Sequence, residues 1–198
     1  IAEFLSPENV IAGLTATDWA HDWLAKNSPY MVVVASAGPI GGYDTVLNRG
    51  FNGLVVGAVD DMNTADRSDD VVMPSSAWRN PTTAHGDLEL PHVVAPGNGF
   101  NMAGAEWSGT SVATAMASGV TALLTAGDLG GWPEGKRAVI LATAIGRADQ
   151  GLITSLSSAG DTKIGAGEID AFLAADLGNP ANAVAANAVT ARGRTAFT

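Results

Sequence analysis

Three short runs of continuous apolar residues punctuate the chain: Tyr30-Met31-Val32-Val33-Val34-Ala35, Leu54-Val55-Val56-Gly57-Ala58-Val59 and His92-Val93-Val94-Ala95. Runs of this length rich in β-branched residues, without polar alternation, are expected of strands covered on both faces, as in parallel sheets. Ahead of the first run, Trp19, Ala20, Trp23 and Leu24 recur at helical spacing between Thr15 and Lys26, with Thr15 or Thr17 as the cap. Residues 60–91, up to the third run, are polar and rich in Ser, Asn, Pro and Asp, and read as long surface loops.

After Ser111 the pattern changes. Val112 to Ala126 is almost wholly small or apolar, which is too long for a strand and predicts a helix buried nearly all round. Pro133 suits the first turn of a further helix reaching about Ile145, because its missing N–H is not needed there. Gly167 to Leu177 predicts one more amphipathic helix, followed by an Ala- and Asn-rich tail. Strands followed by helices indicate α/β architecture. There is no internal repeat and no linker, so residues 1–198 are expected to belong to one domain.

Composition narrows the function classes. The 198 residues are 46% hydrophobic and 15% charged, as in a globular chain with a real core. Ten basic against 20 acidic residues leave a net charge of −10, which argues against nucleic acid and anionic membranes as partners. No apolar run reaches the length of a membrane span. Cysteine is absent, which excludes disulfides and thiolate chemistry. The first residue is Ile1, not Met, as expected of a processed, trimmed or partial polypeptide.

The candidate chemistry centres on Glu106-Trp107-Ser108-Gly109-Thr110-Ser111-Val112-Ala113. A serine at the mouth of an apolar helix lies beside the free N–H groups of the first turn and the positive end of the helix dipole. A negative oxygen developing there is stabilised, as acyl transfer requires. The competing reading is that Ser111 only caps the helix.

Gly109-Thr110-Ser111-Val112-Ala113, followed by Ala117-Ser118-Gly119-Val120-Thr121-Ala122-Leu123-Leu124, resembles the nucleophile helix of the subtilisin-like serine proteases, the subtilases. Four further segments resemble that family in the same order. They are Val32 to Gly38, Asn52 to Asp60, Leu90 to Gly97, and Gly165-Ala166-Gly167-Glu168-Ile169-Asp170-Ala171. The resemblance implies a doubly wound parallel sheet with helices on both faces, incomplete in this chain, which would be the carboxy-terminal part of the catalytic domain. It implies a serine endopeptidase acting on peptide or protein substrates through an acyl-enzyme on Ser111, and a secreted or extracellular location. Ala35, Ser36, Ala37, Gly38 and Pro39, with Gly109 and Thr110, would form the oxyanion site and substrate pocket.

Two departures from the family pattern stand out. Nothing resembles the family's Asp and His segments, so an amino-terminal part of the same domain is expected to supply them. Without a base, a serine hydroxyl is a poor nucleophile. His85 reads as a solvated loop residue, His92 as structural and His21 as a solvated helix residue beside Asp22. The position of the family's oxyanion asparagine is Pro39, which can donate no hydrogen bond. In subtilisin, losing one such donor costs roughly 3–4 kcal/mol in the transition state. Asn48 or Asn52 is the nearest substitute, and a degenerate fold serving as a binding or structural module is the alternative function. Trp78, Trp107 and Trp132 suit either a peptide-binding rim or ordinary packing, the latter being preferred. Asp60, Asp61, Asp66, Asp69 and Asp70 crowd one loop with calcium-type oxygens, but their spacing departs from the EF-hand pattern. No cofactor and no metal site is expected.

Overall fold

The computed structural model describes residues 14–28, 30–38, 46–78, 90–127, 133–146 and 163–178. Pro39, His85 and Trp132 lie outside them, as does the Ala- and Asn-rich stretch beyond residue 178. Among the described residues there are four helices, α1 (Ala16–Asn27), α2 (Thr110–Ala126), α3 (Pro133–Thr143) and α4 (Ala171–Leu177). The strands are β1 (Val34–Ser36), β2 (Leu54–Asp60), β3 (Val71–Val72), β4 (Val93–Pro96), β5 (Phe100–Met102) and β6 (Ala105–Trp107).

The three apolar runs become β1, β2 and β4, and they pair in parallel. Val34 to Ser36 align with Leu54 to Val56 on one edge of β2, and Val93 to Pro96 with Val56 to Val59 on the other. β2 is buried along its length except at Asp60, because both of its faces are covered. On one face Leu54, Val56 and Ala58 join Val93 and Ala95 beneath Ala113, Ala117, Val120 and Leu124 of α2. Val139 and Ile140 of α3, Ile169 ahead of α4 and Ala174 within it complete this cluster. On the other face Val55 packs with Ala37, Val46, Ala77 and Leu90. The turn at 165–170 extends the sheet, since Val94 donates to the Gly167 carbonyl and Ile169 to that of Val94, both at 2.9 Å.

Residues 60–91 are not loop throughout: Val71 and Val72 form a short antiparallel pair with Asp60 and Val59. β5 and β6 form a separate hairpin turning at Ala103 and Gly104, whose φ angles of 53° and 80° suit a two-residue turn.

Two helices differ from the sequence reading. In α1 the buried residues are Asp18 and Asp22, whereas Trp23 is 50% exposed and Leu24 also faces outward. The apolar stripe points away from the sheet because the two carboxylates hold the backbone leading into β2. Asp18 accepts from the Arg49 amide at 2.6 Å, and Asp22 from the amides of Phe51 and Asn52 at 3.1 and 2.7 Å. Thr15 closes the helix start with a capping box to Asp18. The helix α2, expected to be buried nearly all round, buries only the face toward the sheet. Ala115, Met116, Gly119, Ala122 and Leu123 are exposed, because no described element covers them.

Candidate active site

The serine turn is built on the carboxyl end of β4. Gly97, just past that strand, donates to the Val59 carbonyl at 2.9 Å, and Gly109 donates to the Gly97 carbonyl at 2.7 Å. A side chain at Gly97 would meet both Ala58 Cβ and the Gly109 carbonyl at 2.9 Å, so only glycine lets the turn lie this close to the sheet. Gly109 has φ 129° and ψ 177°, a conformation natural to glycine alone.

Gly109, not Ser111, is the N-cap of α2, and no side chain bonds to the cap. Ser111 therefore stands at the second helical position with an exposed hydroxyl. Val112 and Ala113 donate to the Gly109 carbonyl at 3.0 and 3.3 Å. The N–H groups of Thr110 and Ser111 meet no acceptor among the described residues, and they lie at the positive end of the helix. Thr110 is buried, its carbonyl taken by the Thr114 hydroxyl at 2.6 Å.

The segment Ala35-Ser36-Ala37-Gly38 closes β1 at the same carboxyl edge, separated from the serine turn by β2. Ala35, Ala37 and Gly38 are buried and Ser36 is half-buried. Ala37 donates to Val56 and accepts from Leu47, and Gly38 accepts from Ala77 at 2.9 Å. The Asn48 amide is committed to the Ser36 carbonyl at 2.6 Å. Asn52 stands at the amino end of β2, tied to Asp22. It is thus at the opposite edge of the sheet from Ser111.

His92 is also at the amino end, one residue before β4. Its Nδ1 accepts from the Val55 amide at 2.8 Å, and its Nε2 lies 2.7 Å from Arg137 Nη2. Burial, and then the Arg137 charge, push its pKa down to about 3. It is neutral near pH 7 and stands at the opposite end of β4 from the serine turn. Arg137 also donates to the Phe51 carbonyl at 2.9 Å, and burial lowers its own pKa against the opposing pull of Asp22.

The crowded carboxylates mostly serve their own backbone. Asp60, Asp61 and Asp66 accept from the amides of Met62, Asn63 and Ser68, and Asp69 accepts from the Thr64 hydroxyl. Among the described residues no three His, Asp or Glu side chains converge as a metal site. Trp78 stacks under Lys163, whose Nζ lies 5.2 Å from the ring centroid, while Trp107 is exposed on the hairpin. No helix among the described residues is long and apolar enough to cross a membrane.

The profile of the subtilase family matches residues 8–184. The chain belongs to the subtilase family. Solved subtilase-like structures share its fold. The patellamide maturation protease PatA is 23% identical, with a TM-score of 0.58 over 85% of this chain and 58% of that one. The PatG macrocyclase in complex with peptide is 19% identical, with a TM-score of 0.55 over 81% of this chain and 47% of that one. The A-subunit of the AB5 toxin from E. coli is 17% identical, with a TM-score of 0.57 over 85% of this chain and 57% of that one. At these identities the likeness concerns the fold. This chain spans roughly half the length of these structures. No curated protein matches it.

Sequence reading missed the inward acidic face of α1 and the β5–β6 hairpin. Both left a signal: Thr15 and Asp18 have capping-box spacing, and Phe100-Asn101-Met102 and Ala105-Glu106-Trp107 alternate about Ala103-Gly104.

Proposed function

We propose that this subtilase chain carries the nucleophile of a serine endopeptidase. The observation that carries the reading is the exposed Ser111 beside two N–H groups that meet no acceptor among the described residues, at the carboxyl edge of a parallel sheet, where open α/β sheets bind ligands. The Ser111 oxygen attacks the peptide carbonyl carbon while its proton passes to a histidine base. The oxyanion is held by the Ser111 N–H, and the C–N bond then breaks as the proton moves to the leaving amine. Water hydrolyses the resulting ester by the same route. An amino-terminal part of the same domain supplies the Asp and His, packing over the exposed face of α2, which ends at Ser111. Ala35 to Pro39, with Gly109 and Thr110, line the substrate side, and the enzyme acts outside the cell, as the family resemblance suggests.

A fluorophosphonate probe tests this on the full-length protein. Labelling that disappears in Ser111→Ala is expected. An unlabelled, folded protein would overturn the proposal and favour a degenerate binding module, a reading whose support is Pro39 in place of the oxyanion asparagine.

A further inference from the structure

A chain of directed hydrogen bonds ties the end of β2 to the turn that presents Ser111. Asp60 Oδ1 accepts from the Met62 amide at 3.0 Å, and its Oδ2 accepts from Asn98 Nδ2 at 2.8 Å. Facing a carboxylate, Asn98 must present its NH2 there, which aims its carbonyl oxygen at Ser108. The Ser108 hydroxyl donates to that oxygen at 2.9 Å, and its own lone pair accepts from the Gly99 amide at 3.0 Å. Each group has one role it can play, and the charge of Asp60 sets the direction of the whole chain.

The chain lies where backbone bonding alone is thin. The hairpin β5–β6 interrupts the path from β4 to α2, and among the described residues its strands pair only with each other. At its base the serine turn is held to the sheet by the Gly109–Gly97 bond. The Ser108–Asn98–Asp60 relay is a second tether, one residue away from Gly109, Gly97 and Val59 in turn. Ala113 and Ala117 already hold α2 on the sheet, so the second tether restrains the approach at Ser108 and Gly109, which a single tether would leave hinged. Gly109, with no side chain to restrict it, is the residue that would swing.

We infer that Asp60 is a positioning residue for the nucleophile, acting through Asn98 and Ser108 to hold the turn that aims Ser111 and its N–H. The inference rests on the endopeptidase reading for its kinetic consequence, but not for its structural one. Misplacement of a reacting group by about 1 Å can cost roughly a hundredfold in rate.

Full-length protein and the variants Asp60→Ala, Ser108→Ala and Ser108→Thr are compared by the kinetics of fluorophosphonate labelling and of peptide cleavage. Amide exchange of residues 108–113 is followed in parallel. The Ala variants should lose roughly tenfold to a hundredfold in the labelling rate constant and in kcat, with KM within about twofold. Ser108→Thr, which keeps the hydroxyl, should stay close to wild type. Asp60→Ala combined with Ser108→Ala should be little worse than either alone, because both cut one chain. Exchange should rise at 108–113 while the core strand 54–59 stays protected. Wild-type labelling rates in the Ala variants, a Thr variant as poor as Ala, or unchanged exchange at 108–113 would each overturn the inference. If the wild-type protein itself is unlabelled, the endopeptidase reading falls. The exchange comparison then still decides whether the tether exists.

Discussion

The amide of Gly109 reaches the carbonyl of Gly97 across 2.7 Å, so the turn that presents Ser111 rests directly on the end of the central sheet. Gly97→Ala places a methyl group 2.9 Å from both Ala58 Cβ and the Gly109 carbonyl. The turn must lift or the sheet must yield, at a cost of about 1–3 kcal/mol. We expect a lower denaturation midpoint together with slower labelling of Ser111. An unchanged labelling rate would show that this contact does not set the position of the serine.

Asp22 is a buried carboxylate that accepts from two backbone amides and faces Arg137. Asp22→Ala leaves the amides of Phe51 and Asn52 without their acceptor and Arg137 without its counter-charge. A loss of about 3 kcal/mol in chemical denaturation is expected, far above that of an ordinary surface substitution. Thr15→Ala, which removes only the hydroxyl half of the cap on the same helix, should cost about 1 kcal/mol.

Stability should fall in mild acid through His92. Its pKa is about 3 in the folded chain against 6.5 when unfolded, so between those values the unfolded state binds more protons. The sign is then fixed: the contribution of this residue is fully present above pH 6.5 and is lost as pH falls toward 3, with a slope approaching about 1.4 kcal/mol per unit. Carboxylates add their own acid dependence, so the informative quantity is the difference between wild type and His92→Asn. Denaturation midpoints measured from pH 7 to 4 should show a flatter profile in the variant, and parallel profiles would contradict the assignment.

The exposed face of α2 offers small residues at Ala115, Gly119 and Ala122 beside Met116 and Leu123, the last 57% exposed. If the amino-terminal part of the domain packs there, Ala122→Arg should keep it from seating. In the full-length protein we expect greater dye binding, faster limited proteolysis and loss of labelling at Ser111, about three turns up the helix. A variant that is as compact and as readily labelled as wild type would place the docking surface elsewhere.

The sequence by itself determined the parallel strands, since Leu54 to Val59 can be apolar without alternation only when both faces are covered. It determined the order of β1, β2, β4 and the helices, the positions of α2 and α3, and the family, carried by five collinear segments. It also placed Ser111 at a helix mouth, because local residue types specify a helix start. Only the tertiary structure decided that Gly109 takes the cap and leaves the Ser111 hydroxyl exposed, since that depends on a backbone angle and on where Gly97 lies. The same is true of α1, whose apolar stripe pointed to the wrong face: the partners of Asp18 and Asp22 are amides about 30 residues away. Periodicity reports the preferences of side chains along one element. Which face turns inward is settled by polar groups that meet only when distant segments pack, and apart from the capping-box spacing of Thr15 and Asp18 these leave no trace in the local pattern.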